Sequence, residues 1–170
     1  MKKIIVLFAL CLFFVGLNTT NAQVKAVING GVQIPTGDFK NGSDVGYGGS
    51  IDAEFSLPMV GPTIFASVGY NRWGIKNTSF SLYAIPMLGG LKYFFTAPGS
   101  PVVLYVGGGL GVVVLNDNTP FSTTESKFIW APVVGLRFGG FDVNAKYQSF
   151  SSGGTTFNWF GINAGIAVGN

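Results

Sequence analysis

The chain has 170 residues, of which 48% are hydrophobic and only 10% are charged, whereas soluble domains usually carry charge at about a quarter of positions. Histidine is absent, which excludes Ser–His and Cys–His nucleophile pairs, imidazole acid–base chemistry and the most common zinc ligand. The formal net charge is +3, of which Lys2 and Lys3 supply two, and the remaining +1 is too small to indicate a nucleic-acid partner.

Residues 1–22 have the layout of a cleaved secretory signal peptide. A short basic head precedes an apolar run from Ile4 to about Leu17, and small Thr20 and Ala22 stand where signal peptidase reads the chain. This run is shorter than the roughly 20 apolar residues of a membrane helix, which disfavours the alternative of a retained anchor. The single cysteine lies inside this segment, so the mature domain, residues 23–170, has no thiol for a disulfide, a metal or catalysis.

The mature chain alternates between apolar and polar residues in eight segments, which are separated by turn-rich breaks. No mature segment stays apolar for the length of a membrane helix, and closed barrels are the other architecture that satisfies every backbone group in lipid. The predicted fold class is therefore all-β, an eight-stranded antiparallel up-and-down transmembrane β-barrel. The predicted strands are Val24–Ile34, Tyr47–Leu57, Thr63–Trp73, Ser81–Phe95, Val102–Leu115, Lys127–Phe138, Phe141–Phe150 and Phe157–Val168.

The second segment carries the alternation most clearly, with Tyr47, Ile51 and Phe55 on one face and Asp52 and Glu54 on the other. Successive side chains of a strand point to opposite faces, so the pattern predicts an apolar outer face and a polar interior. A soluble β-sandwich would alternate as well. Its outer faces would not be apolar throughout, whereas here only Arg72 interrupts them.

Outward aromatic residues gather near both ends of the strands, as in the two aromatic girdles of membrane barrels. One predicted rim contains Tyr47, Tyr70, Tyr83, Trp130, Tyr147 and Phe160, and the other contains Phe55, Tyr93, Phe95, Phe138 and Phe141.

The breaks are predicted to alternate between long outer loops and short periplasmic turns. The long ones are Pro35–Gly46, Gly74–Phe80, Asn116–Ser126 and Ser151–Thr156, and the short ones are Pro58–Pro62, Thr96–Pro101 and Gly139–Gly140. Pro86 and Pro132 fall inside strands, where each removes a ladder hydrogen bond, so we expect a bulge or a local kink at each.

The charges of the residues predicted to point into the barrel nearly cancel. The interior of an eight-stranded barrel is just wide enough for side chains to fill it. We therefore expect a salt-bridge network that plugs the lumen; a polar conduit or gate is the alternative. The network residues are Lys25, Asp52, Glu54, Lys92, Arg137, Asp142 and Lys146. Asp52 and Glu54 have a spacing that could serve acid–base chemistry, but ion pairing explains them more simply. No catalytic residue, cofactor or metal site is predicted.

Two segments carry a resemblance to a known family: GVQIPTGDF at residues 31–39 and YAIPMLGGLKYF at residues 83–94. They resemble the porin-like small outer-membrane β-barrels of the OmpA and OmpW types. The resemblance implies a location in the cell outer membrane, with membrane lipid and the barrel-insertion machinery as partners. One departure is the C-terminus, residues 168–170, which lacks the terminal aromatic residue of many such barrels.

The predicted function is a structural, envelope-integrity or surface-contact role, with Phe39 and Phe121 in outer loops as the residues for partner contacts. A narrow porin-like transporter for small solutes is the first alternative, although seven charges in the lumen count against it. A secreted lipocalin-like ligand carrier is the second alternative, and it would need the inverse arrangement, with an apolar interior and a polar exterior. The lack of histidine and of a mature cysteine predicts that the protein is not an enzyme.

Overall fold

Consecutive strands pair antiparallel around the whole molecule, and the last strand pairs with the first to close a barrel. The computed structural model describes residues 23–56, 61–96, 98–117 and 124–169. Its strands are β1 (Gln23–Thr36), β2 (Gly46–Ser56), β3 (Thr63–Gly74), β4 (Ser81–Thr96), β5 (Val102–Asp117), β6 (Glu125–Phe138), β7 (Phe141–Ser152) and β8 (Thr155–Gly169). The predicted fold class is confirmed, and each predicted strand end lies within two residues of the observed one.

The predicted inside and outside faces are also confirmed in the strands with the clearest alternation. In β2, Asp52 and Glu54 are 1% and 2% exposed, whereas Tyr47 and Ile51 are 57% and 54% exposed. Apolar side chains thus cover the outside and polar ones point into the barrel, which is the opposite of a soluble β-sandwich. None of the helices in the described part of the chain has the length and apolarity to cross a membrane.

Pro86 and Pro132 interrupt the ladder without inserting a residue, so the expected bulge is absent. The β3–β4 and β6–β7 registers are the same on both sides of each proline, and two pairs are missing at each, that of the proline and that of one adjacent residue. Each proline remains opposite a residue of β5, Val113 and Gly108 respectively. Because a strand has two neighbours, loss of one N–H donor is accommodated by a gap in one ladder.

Glycine in the inner phase makes room for aromatic rings. A Cβ atom at Gly135 would collide with the ring and hydroxyl of Tyr105, and one at Gly90 would lie 2.8 Å from Cε1 of Phe65. The missing side chains therefore leave room for the rings of Tyr105 and Phe65 beside the neighbouring strand.

Among the connections that lie in the described residues, the one between β7 and β8 differs from the predicted pattern. β7 and β8 continue to a two-residue turn, Gly153–Gly154, with φ values of +59° and +80°, so the predicted long loop there is wrong. Glycine accepts this left-handed conformation at no steric cost, which allows a tight hairpin. The first connection is longer and contains the short helix α1 (Phe39–Gly42). We call the barrel end with this helix the loop end and the opposite one the turn end.

Candidate functional site

Two acidic side chains of β2 meet a lysine of β4 in the turn-end half of the barrel. Nζ of Lys92 lies 3.1 Å from Oδ2 of Asp52 and 2.8 Å from Oε1 of Glu54, and all three side chains are at most 2% exposed. The ammonium also lies 4.9 Å from the ring centroid of Phe65. The lysine is therefore held by two carboxylates and by the face of an aromatic ring.

Arg137 of β6 extends the network across the lumen. Its guanidinium donates to both carboxylate oxygens of Glu54, at 2.9 and 3.0 Å, and to Oδ2 of Asp142 on β7, at 2.9 and 3.2 Å. β2 and β6 stand on opposite walls of the eight-stranded barrel. A bidentate arginine–carboxylate pair thus joins the two walls directly.

Neutral donors complete the coordination of the carboxylates. Ser67 Oγ donates to Asp52 at 2.7 Å, and Tyr105 Oη and Asn144 Nδ2 each donate to Oδ1 of Asp142 at 3.0 Å. Sequence reasoning missed these partners, although their inner-phase positions could have indicated them. Buried carboxylates need such donors because charge taken out of water is costly unless it is paired and hydrogen-bonded.

The remaining two predicted network residues lie apart from the ion pairs. Lys146 is 6% exposed, and its ammonium has no hydrogen bond or ion pair within 4.0 Å among the described residues. It lines a mid-barrel void of about 10 Å³ with polar side chains that include Gln33 and Asn163. Lys25 lines a cavity of about 390 Å³ at the turn end, together with Glu54 and Arg137. The structure therefore joins five of the seven residues directly.

Aromatic side chains fill the loop-end half of the lumen. The rings of Trp73 on β3 and Trp159 on β8 are 5.0 Å apart, and Phe39 of α1 packs against them at 5.2 and 6.5 Å. Phe150 and Phe157 stack beside them at 5.0 Å. Strands β3, β7 and β8 and the helix α1 thus contribute to one apolar cluster.

Phe39 is only 6% exposed, so the prediction that it offers a surface contact is wrong. The first connection folds back over the barrel mouth, where Ser43 bridges to Ile75 and the amide of Asp44 donates to Gly74 O at 3.0 Å. This turns Phe39 inward, where burial of its ring is favourable. Phe121, the other predicted contact residue, lies outside the described residues.

The outer face carries the two predicted aromatic girdles. At the loop end, Trp130 lies 5.5 Å from Tyr147, and Tyr147 lies 4.9 Å from Phe160. At the turn end, the Tyr93 and Phe95 rings are 4.8 Å apart. Exposed aliphatic side chains occupy the band between the girdles. This exterior suits the hydrocarbon and interfaces of a bilayer and is the reverse of a soluble ligand carrier.

Similarity in structure decides the type of barrel. No protein-family model matches the chain, and no curated protein matches it. The structure is similar to Neisserial surface protein A, with TM-score 0.58 and 19% identity over 86% of this chain and 96% of that one. It is also similar to the attachment invasion locus protein Ail of Yersinia pestis, with TM-score 0.55 and 16% identity over 88% and 100%. The chain has the fold of small outer-membrane β-barrels.

The same outer-membrane barrel fold also occurs in an enzyme. The outer membrane enzyme PagL matches with TM-score 0.56 and 12% identity, covering 84% of this chain and 98% of that one. One protein with this fold is therefore an enzyme, so catalysis depends on the residues present and not on the fold.

Proposed function

We propose that the protein is an integral outer-membrane barrel with a lumen closed by its own side chains and a structural role in the envelope, in contact with membrane lipid. The observation that carries this proposal is the Arg137–Glu54 pair, because it connects opposite walls at 2.9 and 3.0 Å. A continuous aqueous path at this level would require that pair to separate.

The closure has two independent layers. The first is the buried ion-pair network in the turn-end half, and the second is the aromatic cluster around Trp73, Trp159 and Phe39 in the loop-end half. Between them the void of about 10 Å³ is roughly the size of a single water molecule. Eight strands leave an interior that side chains can fill, so two filled layers support a structural role over transport.

A non-enzymatic role is part of the proposal. Asp52 and Glu54 are the paired carboxylates of the interior, and both bind Lys92, while Glu54 also binds Arg137. Carboxylates held as ion-pair acceptors are poorly suited to take up a proton from a substrate. The sequence also has no histidine that could serve as the base.

Conductance in planar bilayers tests the closed lumen. Wild-type protein that migrates as a folded, heat-modifiable species should show no steady openings. The double variant Arg137→Ala/Trp159→Ala removes one residue from each layer and should conduct. The matched control Arg72→Ala/Trp130→Ala removes the same residue types from the outer face and should stay silent.

Steady wild-type openings would overturn the closed lumen and favour the narrow transporter. The cavity of about 390 Å³ at the turn end would then be the entrance for small solutes. Flux of labelled solutes into vesicles would show whether such openings have a transport function.

A further inference from the structure

Arg72 carries the only charge among the outward-facing strand side chains that the structure describes. It lies on β3, two residues before the strand ends at Gly74, and the pairing of β3 places it directly opposite Tyr47 on β2 and Tyr83 on β4. An outward arginine is costly in the middle of a bilayer and is tolerated near the interfaces. The row Tyr47–Arg72–Tyr83 belongs to the loop-end girdle, and it therefore marks the level of the lipid headgroups.

The guanidinium is held in place by neutral groups. It donates from Nη1 to the hydroxyl of Tyr47 at 3.1 Å and from Nη2 to Ser81 Oγ at 3.2 Å, and its Cζ lies 5.4 Å from the ring centroid of Tyr83. Contacts to two neighbouring strands fix its orientation on the surface. This restriction of a long side chain would favour binding, because less conformational entropy remains to be lost.

The contacts of Arg72 within the described part of the protein are all with neutral groups. No carboxylate among the described residues forms a salt bridge with Arg72, whose side-chain contacts are the hydroxyls of Tyr47 and Ser81 and the ring of Tyr83. A guanidinium has five N–H donors, and two contacts to Tyr47 and Ser81 leave three for a ligand. The Tyr47 hydroxyl accepts from Arg72, so its own proton can be donated as well.

We propose that Arg72 and Tyr47 bind the phosphate group of an anionic membrane lipid at the loop-end interface. Arginine suits phosphate because its planar fork presents parallel donors to two oxygens. A lipid fits better than a soluble ion because Tyr70, Val68 and Ile85 continue the same face toward the barrel middle, and they are 45%, 48% and 40% exposed. Acyl chains of a lipid held at Arg72 would lie on these side chains. The inference rests on the proposed membrane location.

Native mass spectrometry of the full-length barrel can test this site. Protein is titrated with phosphatidylglycerol or phosphatidylcholine, and the dissociation constant of the first bound lipid is compared between variants. Wild type should prefer phosphatidylglycerol, and Arg72→Gln should weaken that binding about tenfold, the effect expected on loss of charged hydrogen bonds. Tyr47→Phe should cause a smaller loss.

Lys76→Gln is the matched control. Lys76 is exposed on the same β3–β4 hairpin, and its ammonium donates to Lys40 O at 2.7 Å. Its substitution changes the charge equally and should alter lipid affinity less than about twofold, as is usual for a solvated surface charge. Equal losses in both variants, or no loss in Arg72→Gln, would contradict the site.

Inorganic phosphate separates a lipid site from a soluble-anion site. We expect millimolar phosphate to leave phosphatidylglycerol bound; displacement that depends on Arg72 would overturn the lipid assignment. Each variant is also inserted into vesicles, and its folding is measured by heat-modifiable migration on a gel. This measurement separates failure of the lipid site from failure of the proposed membrane location. A barrel that inserts but has no preference for the anionic lipid contradicts this inference alone, whereas a barrel that does not insert contradicts the membrane location.

Discussion

The two halves of the lumen are filled by different physical means. In the turn-end half, charged side chains from β2, β4, β6 and β7 meet at hydrogen-bonding distance. In the loop-end half, aromatic rings from three strands and α1 pack at centroid distances of 5.0 to 6.5 Å. Ion pairs depend on every partner being present, whereas ring packing depends on volume. A single substitution should therefore have different consequences in each half.

The largest effect is expected at the hub of the charged half. Glu54→Gln removes the carboxylate that binds both Lys92 and Arg137, which breaks two buried ion pairs and leaves each cation with one carboxylate, Asp52 or Asp142. Breaking a buried pair in this way should lower the free energy of unfolding by about 4 kcal/mol. Urea titration of the barrel in lipid vesicles, followed by heat-modifiable migration, measures the change.

Glu125→Gln is the control for that experiment. Glu125 pairs with Lys127 at 3.1 Å on the exposed rim of the barrel, and solvent weakens the pair. It should leave the urea midpoint nearly unchanged. A similar shift in both variants would mean that the position of the pair in the lumen is unimportant.

A somewhat smaller effect is expected in the aromatic half. Phe39→Ala removes a buried ring between Trp73 and Phe157 and should cost about 3 kcal/mol, at the lower limit for buried Phe→Ala because α1 can partly collapse into the gap. The same urea titration measures it, with Phe128→Ala as the control. Phe128 is 63% exposed on the outer face, so a greater loss there than at Phe39 would contradict the packing described for the cluster.

The smallest effect is expected where an inward-facing glycine leaves room for a side chain of the charged half. Gly135→Ala would push the Tyr105 ring away and weaken its 3.0 Å hydrogen bond to Asp142, at a cost of about 1–3 kcal/mol from overpacking. Gly89→Ala is the control, because nothing lies within 4 Å of the added methyl group. The same titration tests the pair, and equal midpoints for the two variants would disprove the steric role of Gly135.

Much of the fold could be predicted because it depends on local patterns. The alternation around Asp52 and Glu54 indicated the inner face, and Gly139–Gly140 indicated a turn, without knowledge of any distant residue. The tight turn at Gly153–Gly154 was missed because the serine and threonine residues beside it are as common in loops as in strands. The helix α1 is too short to have a periodic signal of its own.

The site could be predicted as a set of residues but not as a set of contacts. The alternation of inward and outward positions along each strand, here called parity, identified all five members of the ion-pair network. It also identified Lys25 and Lys146, which lie outside the network. Parity cannot distinguish the five network residues from these two lysines, because it does not specify the position of a side chain along the barrel axis. For the same reason, it can indicate that neutral residues such as Tyr105 and Ser67 point inward, but not which carboxylate each of them binds.

The strand number, the outward and inward faces and the residue types inside follow from the sequence alone, because each depends on period-two spacing along one strand. Which side chains meet depends on the folded barrel. Glu54 and Arg137 are 83 residues apart, and their contact depends on the register of the strands that connect them around the barrel. The burial of Phe39 also depends on the folded barrel, because a loop residue becomes buried only when its connection folds back over the barrel mouth.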